Sequence, residues 1–83
     1  MDKVHYAMLE VMLNRCGAVT ELTAVTRKGI QSEMSMNVGT LYRRLGELAD
    51  EGYILKGLKD AREHTYYVTE HGKQALKEAK NEE

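Results

Sequence analysis

The spacing of apolar residues changes once along this chain, at Gly52. Before Gly52, apolar residues recur every three or four positions, as in a helix that buries one face. These residues are Val38, Leu41, Leu45, Leu48 and Ala49. After Gly52, apolar residues alternate in the two-residue period of a strand. We therefore predict a helix over residues 38–51, capped by Asn37, that leads directly into a β-hairpin over residues 53–68.

The predicted hairpin consists of two strands, residues 53–58 and 64–68, joined by a polar turn. Strand alternation places Tyr66 and Val68 on the same face. Basic residues lie in and beside the turn, where they can contact a polyanion. These residues are Lys56, Lys59 and Arg62, with His64 next to them.

The rest of the chain contains signals for three further helices. The first is predicted to run from its cap, Asp2, to Arg15, because Gly17 can end it. Thr20 is predicted to cap a second helix of about ten residues, in which Leu22 faces the core.

Residues 31–36 are predicted to connect the second helix to the third. Thr69 is predicted to cap a last helix, whose polar end at residues 80–83 frays. The chain, residues 1–83, is therefore predicted to form one domain. Its expected fold class is mainly α with a two-stranded β-hairpin, in the order α-α-α-β-β-α.

The composition is that of a globular domain with a small core. Hydrophobic residues make up 42% of the 83 residues and charged residues 30%, a hydrophobic share above that of disordered chains. The apolar runs are too short for a signal peptide or a membrane span. The one cysteine, Cys16, cannot form an internal disulfide, which is typical of the reducing cytoplasm. We therefore expect a cytoplasmic protein without membrane contacts.

The charge is nearly balanced in total but uneven along the chain. The protein carries 12 Lys and Arg against 13 Asp and Glu. Residues 27–62, which contain the predicted third helix and hairpin, carry seven Lys and Arg against five Asp and Glu. The local excess permits nucleic-acid binding, although the total charge gives it little support.

Three helices followed at once by a hairpin form the order of a winged helix-turn-helix domain. In such a domain, the N-terminal residues of one helix reach base edges in the major groove of double-stranded DNA. The hairpin, or wing, can then lie along the sugar–phosphate backbone. The order of the elements therefore predicts a DNA-binding protein.

Three segments between residues 37 and 76 strengthen this interpretation. They are Asn-Val-Gly-Thr-Leu-Tyr-Arg-Arg-Leu at 37–45, Leu-Ala-Asp-Glu-Gly-Tyr-Ile at 48–54, and Tyr-Tyr-Val-Thr-Glu-His-Gly at 66–72. The first resembles the recognition helix of the PadR-like transcriptional regulators. The second resembles the end of that helix, and the third is similar to the Tyr-x-Leu-Thr-x-x-Gly with which the family leaves its wing.

The resemblance implies a homodimer that binds palindromic operators, mainly as a repressor. It also implies DNA contacts by Thr40 and Tyr42, with Arg43 and Arg44 beside them. The complete set of predicted DNA-binding residues is Asn37, Thr40, Tyr42, Arg43, Arg44, Lys56, Lys59 and Arg62. Two features depart from the family. Residues 18–22 lack its usual His-Gly-Tyr, and the short C-terminus makes a small-molecule effector doubtful.

The first predicted helix carries more apolar residues than one small core can use. A monomer would expose the surplus as a patch. Packing against the symmetry-related helix and the last helix would cover that patch. The predicted dimer interface consists of Tyr6, Leu9, Leu13 and Leu76.

The sequence does not predict an enzyme. Paired carboxylates and a phosphate-binding loop are absent from it. Cys16 and His5 lie about three helical turns apart on the first helix, too far to act as nucleophile and base. His5, His64 and His71 lack the spacing of zinc ligands. We therefore expect no cofactor, no metal and no catalytic residue.

Two other functions fit the same fold. One is a plasmid or phage protein that binds DNA at replication or segregation sites. The other is a protein–protein adaptor, which the near-neutral total charge favours.

Overall fold

The computed structural model describes residues 2–81, in which four α-helices accompany a three-stranded antiparallel sheet. The helices are α1 (Lys3–Glu10), α2 (Arg27–Glu33), α3 (Val38–Asp50) and α4 (Glu70–Asn81). The strands are β1 (Val25–Thr26), β2 (Ile54–Lys56) and β3 (Thr65–Val68). The predicted order of helices and hairpin is confirmed, with one strand added before α2. None of the helices within residues 2–81 is long and apolar enough to span a membrane.

The C-terminal segment differs from the prediction as far as it is described. Lys80 and Asn81 belong to α4 and do not fray. The Lys80 ammonium lies 3.3 Å from the Glu10 carboxylate, so an ion pair holds the end of α4 against α1. Glu82 and Glu83, the rest of the segment predicted to fray, lie outside the described residues, as does Met1.

The apolar stripe of α3 faces the core, but it is narrower than predicted. Leu41, Leu45 and Leu48 are buried, whereas Val38 and Ala49 are exposed. Both exposed residues point roughly 60–80° away from Leu41 around the helix axis, which places them at the margin of the stripe. The fully buried large side chains of the core are Met8, Leu9, Met12, Ile30, Leu41, Leu48, Ile54 and Val68.

The first helical segment ends where the sequence predicts. After α1, the chain forms one π-helical turn, Val11–Arg15, in which the Cys16 N–H donates to the Val11 carbonyl over 3.0 Å. Gly17 then adopts the left-handed conformation, with φ of 63°, that glycine enters most easily.

The second helix is present, but its predicted position is wrong. Thr20 is a cap, but it caps a single 3₁₀ turn, Glu21–Thr23. The helix that follows, α2, is capped by Thr26, whose hydroxyl accepts the Gly29 N–H over 3.1 Å. Leu22, predicted to face the core, is 82% exposed. Residues 31–33, predicted as part of a connector, belong to α2.

Pairing with a distant strand explains this error. Val25 and Thr26 pair with Tyr66 and Thr65 of β3, so the backbone between the 3₁₀ turn and α2 must be extended. The partner strand is forty residues away, and local sequence signals do not reveal it. The sheet order β1-β3-β2 makes β3 the central strand. The hairpin of β2 and β3 is confirmed, with strands shorter than predicted.

The end of β3 is tied to the end of α3. The Thr69 hydroxyl donates to the Gly52 carbonyl over 2.7 Å and accepts the Gly72 N–H over 3.1 Å. The Thr69 N–H donates to the Tyr53 carbonyl over 3.0 Å. Gly72 packs directly on that Tyr53 carbonyl, where a Cβ atom would collide with backbone. The Thr-x-x-Gly pattern therefore forms one junction between α3, β2 and α4.

The apolar surplus of the first helix is used mostly inside the monomer. Leu9 is completely buried and Leu76 is nearly so. The prediction that Leu9 belongs to an exposed patch is therefore wrong, because Leu9 is part of the core of the monomer. Tyr6 and Leu13 remain half-buried at the edges of this packing.

Substituting alanine at two glycines tests the junction. We expect Gly72→Ala to lower the free energy of unfolding by about 1–3 kcal/mol, because the new methyl group collides with the Tyr53 carbonyl. Gly46→Ala, in α3, is the matched control because open space surrounds Gly46. The control should gain about 0.5–1 kcal/mol from helix propensity. Urea denaturation measures both. Equal effects of the two substitutions would contradict the close contact at Gly72.

Candidate nucleic-acid interface

The N-terminal half of α3 presents the residues predicted to contact bases. Asn37 caps this helix, since its Oδ1 accepts the N–H groups of Gly39 over 2.8 Å and Thr40 over 3.3 Å. Thr40 is half-buried and Arg43 is exposed. Within residues 2–81, no carboxylate forms an ion pair with Arg43. Its guanidinium is thus available to a ligand.

Arg44 is held by the protein itself. Its side chain is 19% exposed, and its Nη1 lies 2.5 Å from Asp2 and 3.8 Å from Glu47. The structure therefore does not place Arg44 beside Arg43 as a second available cation, in contrast to the expectation from sequence. The ion pair with Asp2 therefore occupies part of the guanidinium that the sequence assigns to DNA.

The Asp2 carboxylate combines the role of helix cap with that of ion-pair partner. Its Oδ1 accepts the N–H groups of Val4 and His5, and its Oδ2 accepts from Arg44. Partial desolvation by itself raises the pKa of this carboxyl. The hydrogen bonds from His5, Arg44 and Val4 outweigh that effect and hold the pKa below its usual value.

A buried histidine continues the link between α1 and α3. His5 Nδ1 accepts the backbone N–H of Asp2 over 3.2 Å, and His5 Nε2 lies 3.0 Å from Glu47. When Nδ1 accepts from Asp2, the ring hydrogen lies on Nε2, which donates to Glu47. Asp2 and His5, at the start of α1, therefore pair with Arg44 and Glu47 on one flank of α3.

The opposite flank of α3 carries unneutralised positive charge. The Arg27 guanidinium lies over the ring of Tyr42, 4.1 Å from its centroid, in a cation–π contact. A groove of about 290 Å³ follows between α3 and the sheet, lined by both residues and by Lys56 and Tyr66. Tyr42 is 46% exposed, so it forms a rim of this groove.

The wing carries further basic side chains, of which Lys56 lines this groove. Lys56, Lys59 and Arg62 are exposed. The tip is closed by Asp60 and Glu63, whose backbone groups exchange two hydrogen bonds of 3.0 Å, so Arg62 stands at the extreme end.

His64 lies at the base of the wing, where nearby cations affect its pKa. Its pKa is lowered mainly by Lys56, then by desolvation, Lys59 and Arg27. These three cations therefore lie close enough to one imidazole to act on it together. The basic surface extends from Arg27 through the wing, while the Arg44 flank of α3 is neutralised.

A comparison with known families matches residues 8–78 of this chain to the transcriptional regulator PadR-like family. The chain belongs to the PadR-like family. This confirms the resemblance seen in the sequence and supports a role as a transcriptional regulator or DNA-binding protein. It also confirms the expectation that the protein is not an enzyme. A comparison with curated protein sequences gives no match.

Solved structures confirm the winged-helix fold of this PadR-like chain. TubR from Bacillus megaterium pBM400 is similar with a TM-score of 0.78 and 22% identity, over 94% of this chain and 86% of that one. Apo MarR from E. coli has a TM-score of 0.77 and 20% identity, over 94% of this chain. The PadR-like chain spans about half of MarR, 54%. The DNA-binding TubR fragment from Clostridium botulinum has a TM-score of 0.74 and 25% identity, over 95% of this chain and 96% of the fragment.

Arg27 is a residue of the candidate interface that the sequence of this PadR-like protein did not predict. Its one sequence signal is the basic pair that it forms with Lys28. In the predicted second helix, Arg27 is an ordinary charged position far from α3 along the chain. The pairing of β1 with β3 brings it to Tyr42 and to the wing.

The ion pair between Asp2 and Arg44 can be tested by acid titration of stability. Asp2→Asn keeps a good N-cap but removes the charge. Because the folded-state pKa of Asp2 is depressed, its stabilisation is present above the usual value near 3.8 and is lost as pH falls through the lower folded value. We expect Asp2→Asn to be less stable than the wild type at pH 7 and the difference to shrink towards pH 3.

Chemical denaturation at pH 7, 5 and 3 measures this difference. Asp50→Asn, on the exposed face of α3, is the matched control, because Asp50 forms no ion pair within residues 2–81. A constant difference between Asp2→Asn and the wild type across these pH values would contradict the depressed pKa.

Proposed function

We propose that this PadR-like chain is a sequence-specific repressor that binds a palindromic operator in double-stranded DNA as a homodimer. The observation that carries the proposal is the asymmetry of α3. Its exposed face adjoins positive charge on the wing side only, so α3 and the wing can engage one DNA surface together. The likeness to the DNA-binding TubR fragment, along almost its whole length, supports the DNA binding in this proposal. The protein would act in the cytoplasm.

In this proposal, α3 lies in the major groove and the wing on the backbone. Thr40 and Arg43 face base edges, where arginine can donate two hydrogen bonds to guanine. Tyr42 and the wing residues Lys56, Lys59 and Arg62 contact phosphates, which fix the register of the protein on the duplex. Asn37 contributes by orienting the first turn of α3.

The proposed dimer uses the outer edges of the α1–α4 packing. Grooves flank Leu76 on both sides, one lined by Leu13 and the other by Tyr6 and Ala79. Leu9 can support this surface only from within, because it is fully buried. A two-fold arrangement would place the two α3 helices about 34 Å apart, one turn of DNA. A palindromic operator follows from that symmetry.

Removing one guanidinium tests the orientation of α3. We expect Arg43→Ala to weaken binding to a duplex operator, selected from a random pool, by roughly tenfold or more. The plot of log affinity against log salt should also become shallower by about one contact. Arg15→Ala is the matched control, since it removes the same charge from a residue paired with Glu33 at the far end of α2. Equal losses in both variants would refute the assignment of Arg43.

Sedimentation tests the dimer. We expect the wild type to sediment as a dimer at micromolar concentration and Leu13→Glu to sediment as a monomer, because the new charge would be buried in the interface. Val19→Glu is the control, as Val19 is exposed away from this surface. Circular dichroism checks that both variants are folded. A monomeric wild type that protects only one half-site would refute the dimer.

The pattern of protected DNA distinguishes the remaining candidate functions. A repressor should protect one palindrome and lower transcription from the adjacent promoter. A protein that marks replication or segregation sites should instead bind clustered repeats without changing transcription. An adaptor should bind no duplex even at low salt.

A further inference from the structure

The last residue pair between β1 and β3 brings the start of α2 beside the wing. Thr26 pairs with Thr65 in the antiparallel register, so Arg27, which begins α2, and His64, which precedes β3, both adjoin this last pair. The residues after them confirm this alignment, because the Lys28 ammonium lies 3.2 Å from the Glu63 carboxylate. His64 therefore occupies a fixed position between the start of α2 and the wing.

The first strand of the hairpin, β2, pairs with β3 next to His64. Lys56 pairs with Tyr66, and the Gly57 N–H donates to the Thr65 carbonyl over 3.0 Å. Lys56 and Arg27 also line the same groove beside Tyr42. The half-buried imidazole of His64 is thus flanked by elements that each contribute a cation.

Around His64, cations outnumber the carboxylates that are not already in an ion pair. Arg27 faces it from α2, and Lys56 and Lys59 face it from the wing. Of the nearby carboxylates, Glu63 is paired with Lys28, and Asp50 lies on the α3 side of the groove that Arg27 and Lys56 line. The cations lower the pKa of His64, so the imidazole is neutral at pH 7 in the free protein. An anion at this position would relieve the repulsion among the cations.

We propose that Arg27, Lys56, Lys59 and His64 form a phosphate site at the junction of α2 and the wing, and that His64 takes up a proton when a DNA phosphate occupies it. This inference rests on the DNA binding proposed above and adds a ligand, Arg27, and a proton linkage. The Arg27 guanidinium is already ordered by its stacking on Tyr42, so little side-chain freedom is lost on binding.

The linkage has a defined sign. A phosphate offsets the field of the three cations and accepts a hydrogen bond from the imidazolium, so the pKa of His64 rises in the complex. A group that gains a proton on binding makes the complex tighter as pH falls. Affinity should therefore increase between pH 8 and pH 6, by at most about tenfold per pH unit for one proton.

The experiment measures binding of the full chain to a fluorescent duplex from pH 5.5 to 8 at constant ionic strength. We expect wild-type affinity to rise several-fold from pH 7.5 to pH 6 and His64→Gln to show a flat profile. His71→Gln is the matched control and should keep the wild-type slope, because His71 is stacked on Tyr53, apart from the cation cluster. Calorimetry in two buffers of different ionisation enthalpy should show proton uptake for the wild type and for His71→Gln, but not for His64→Gln.

A titration of the protein without DNA tests the cation cluster independently of duplex binding. The imidazole resonances of His64 should titrate at higher pH in Lys56→Ala than in the wild type, because the largest contribution to its field is removed. Unchanged titration, or a pH slope that persists in His64→Gln, would overturn the phosphate site. Absence of any duplex binding at low salt would instead overturn the proposed function itself.

Discussion

The Thr69 hydroxyl is the interaction on which the arrangement of α3, wing and α4 depends. It donates to the carbonyl of Gly52, just after α3, and caps the first turn of α4. Gly72 lets α4 pack on the Tyr53 carbonyl, a contact that the next larger residue could not make. Each hydrogen bond contributes only about 0.5–1.5 kcal/mol. Together, however, they set the angle between α3 and the wing, and thereby whether both can reach one DNA surface.

The central position of β3 in the sheet connects the wing to α2. On one side β3 holds β2 and so the wing; on the other it holds β1, which delivers α2. Through these pairings, Arg27 reaches Tyr42 although fifteen residues separate them. The same pairings align Lys28 with Glu63. The basic surface is therefore a product of the sheet, whereas the neutral flank of α3 is a product of α1, through Asp2 and His5.

Where the prediction from sequence succeeds, the signals are local. Asn37, the leucines of α3, Gly52 and the turn of the hairpin all act on neighbours within a few residues, and each element that they predict is present. Where the prediction fails, the cause lies far along the chain. The second helix begins at Arg27 and not just after Thr20, because β1 pairs with β3. Leu9 lacks its expected exposure because it belongs to the core of the monomer.

The sequence by itself determined the family, the order of the elements and the exposed α3 residues such as Arg43, since caps, glycine stops and helical periodicity are encoded between close neighbours. Tertiary structure alone decided which cations are available. Arg43 and Arg44 are adjacent in sequence, yet one is exposed and the other is paired with Asp2. Arg27 joins the wing for the converse reason. Ion pairs and stacking depend on distances in space, which strand pairing and helix packing set. The helix α3 and the wing can therefore be predicted from the sequence, but the charge that they present together depends on the fold.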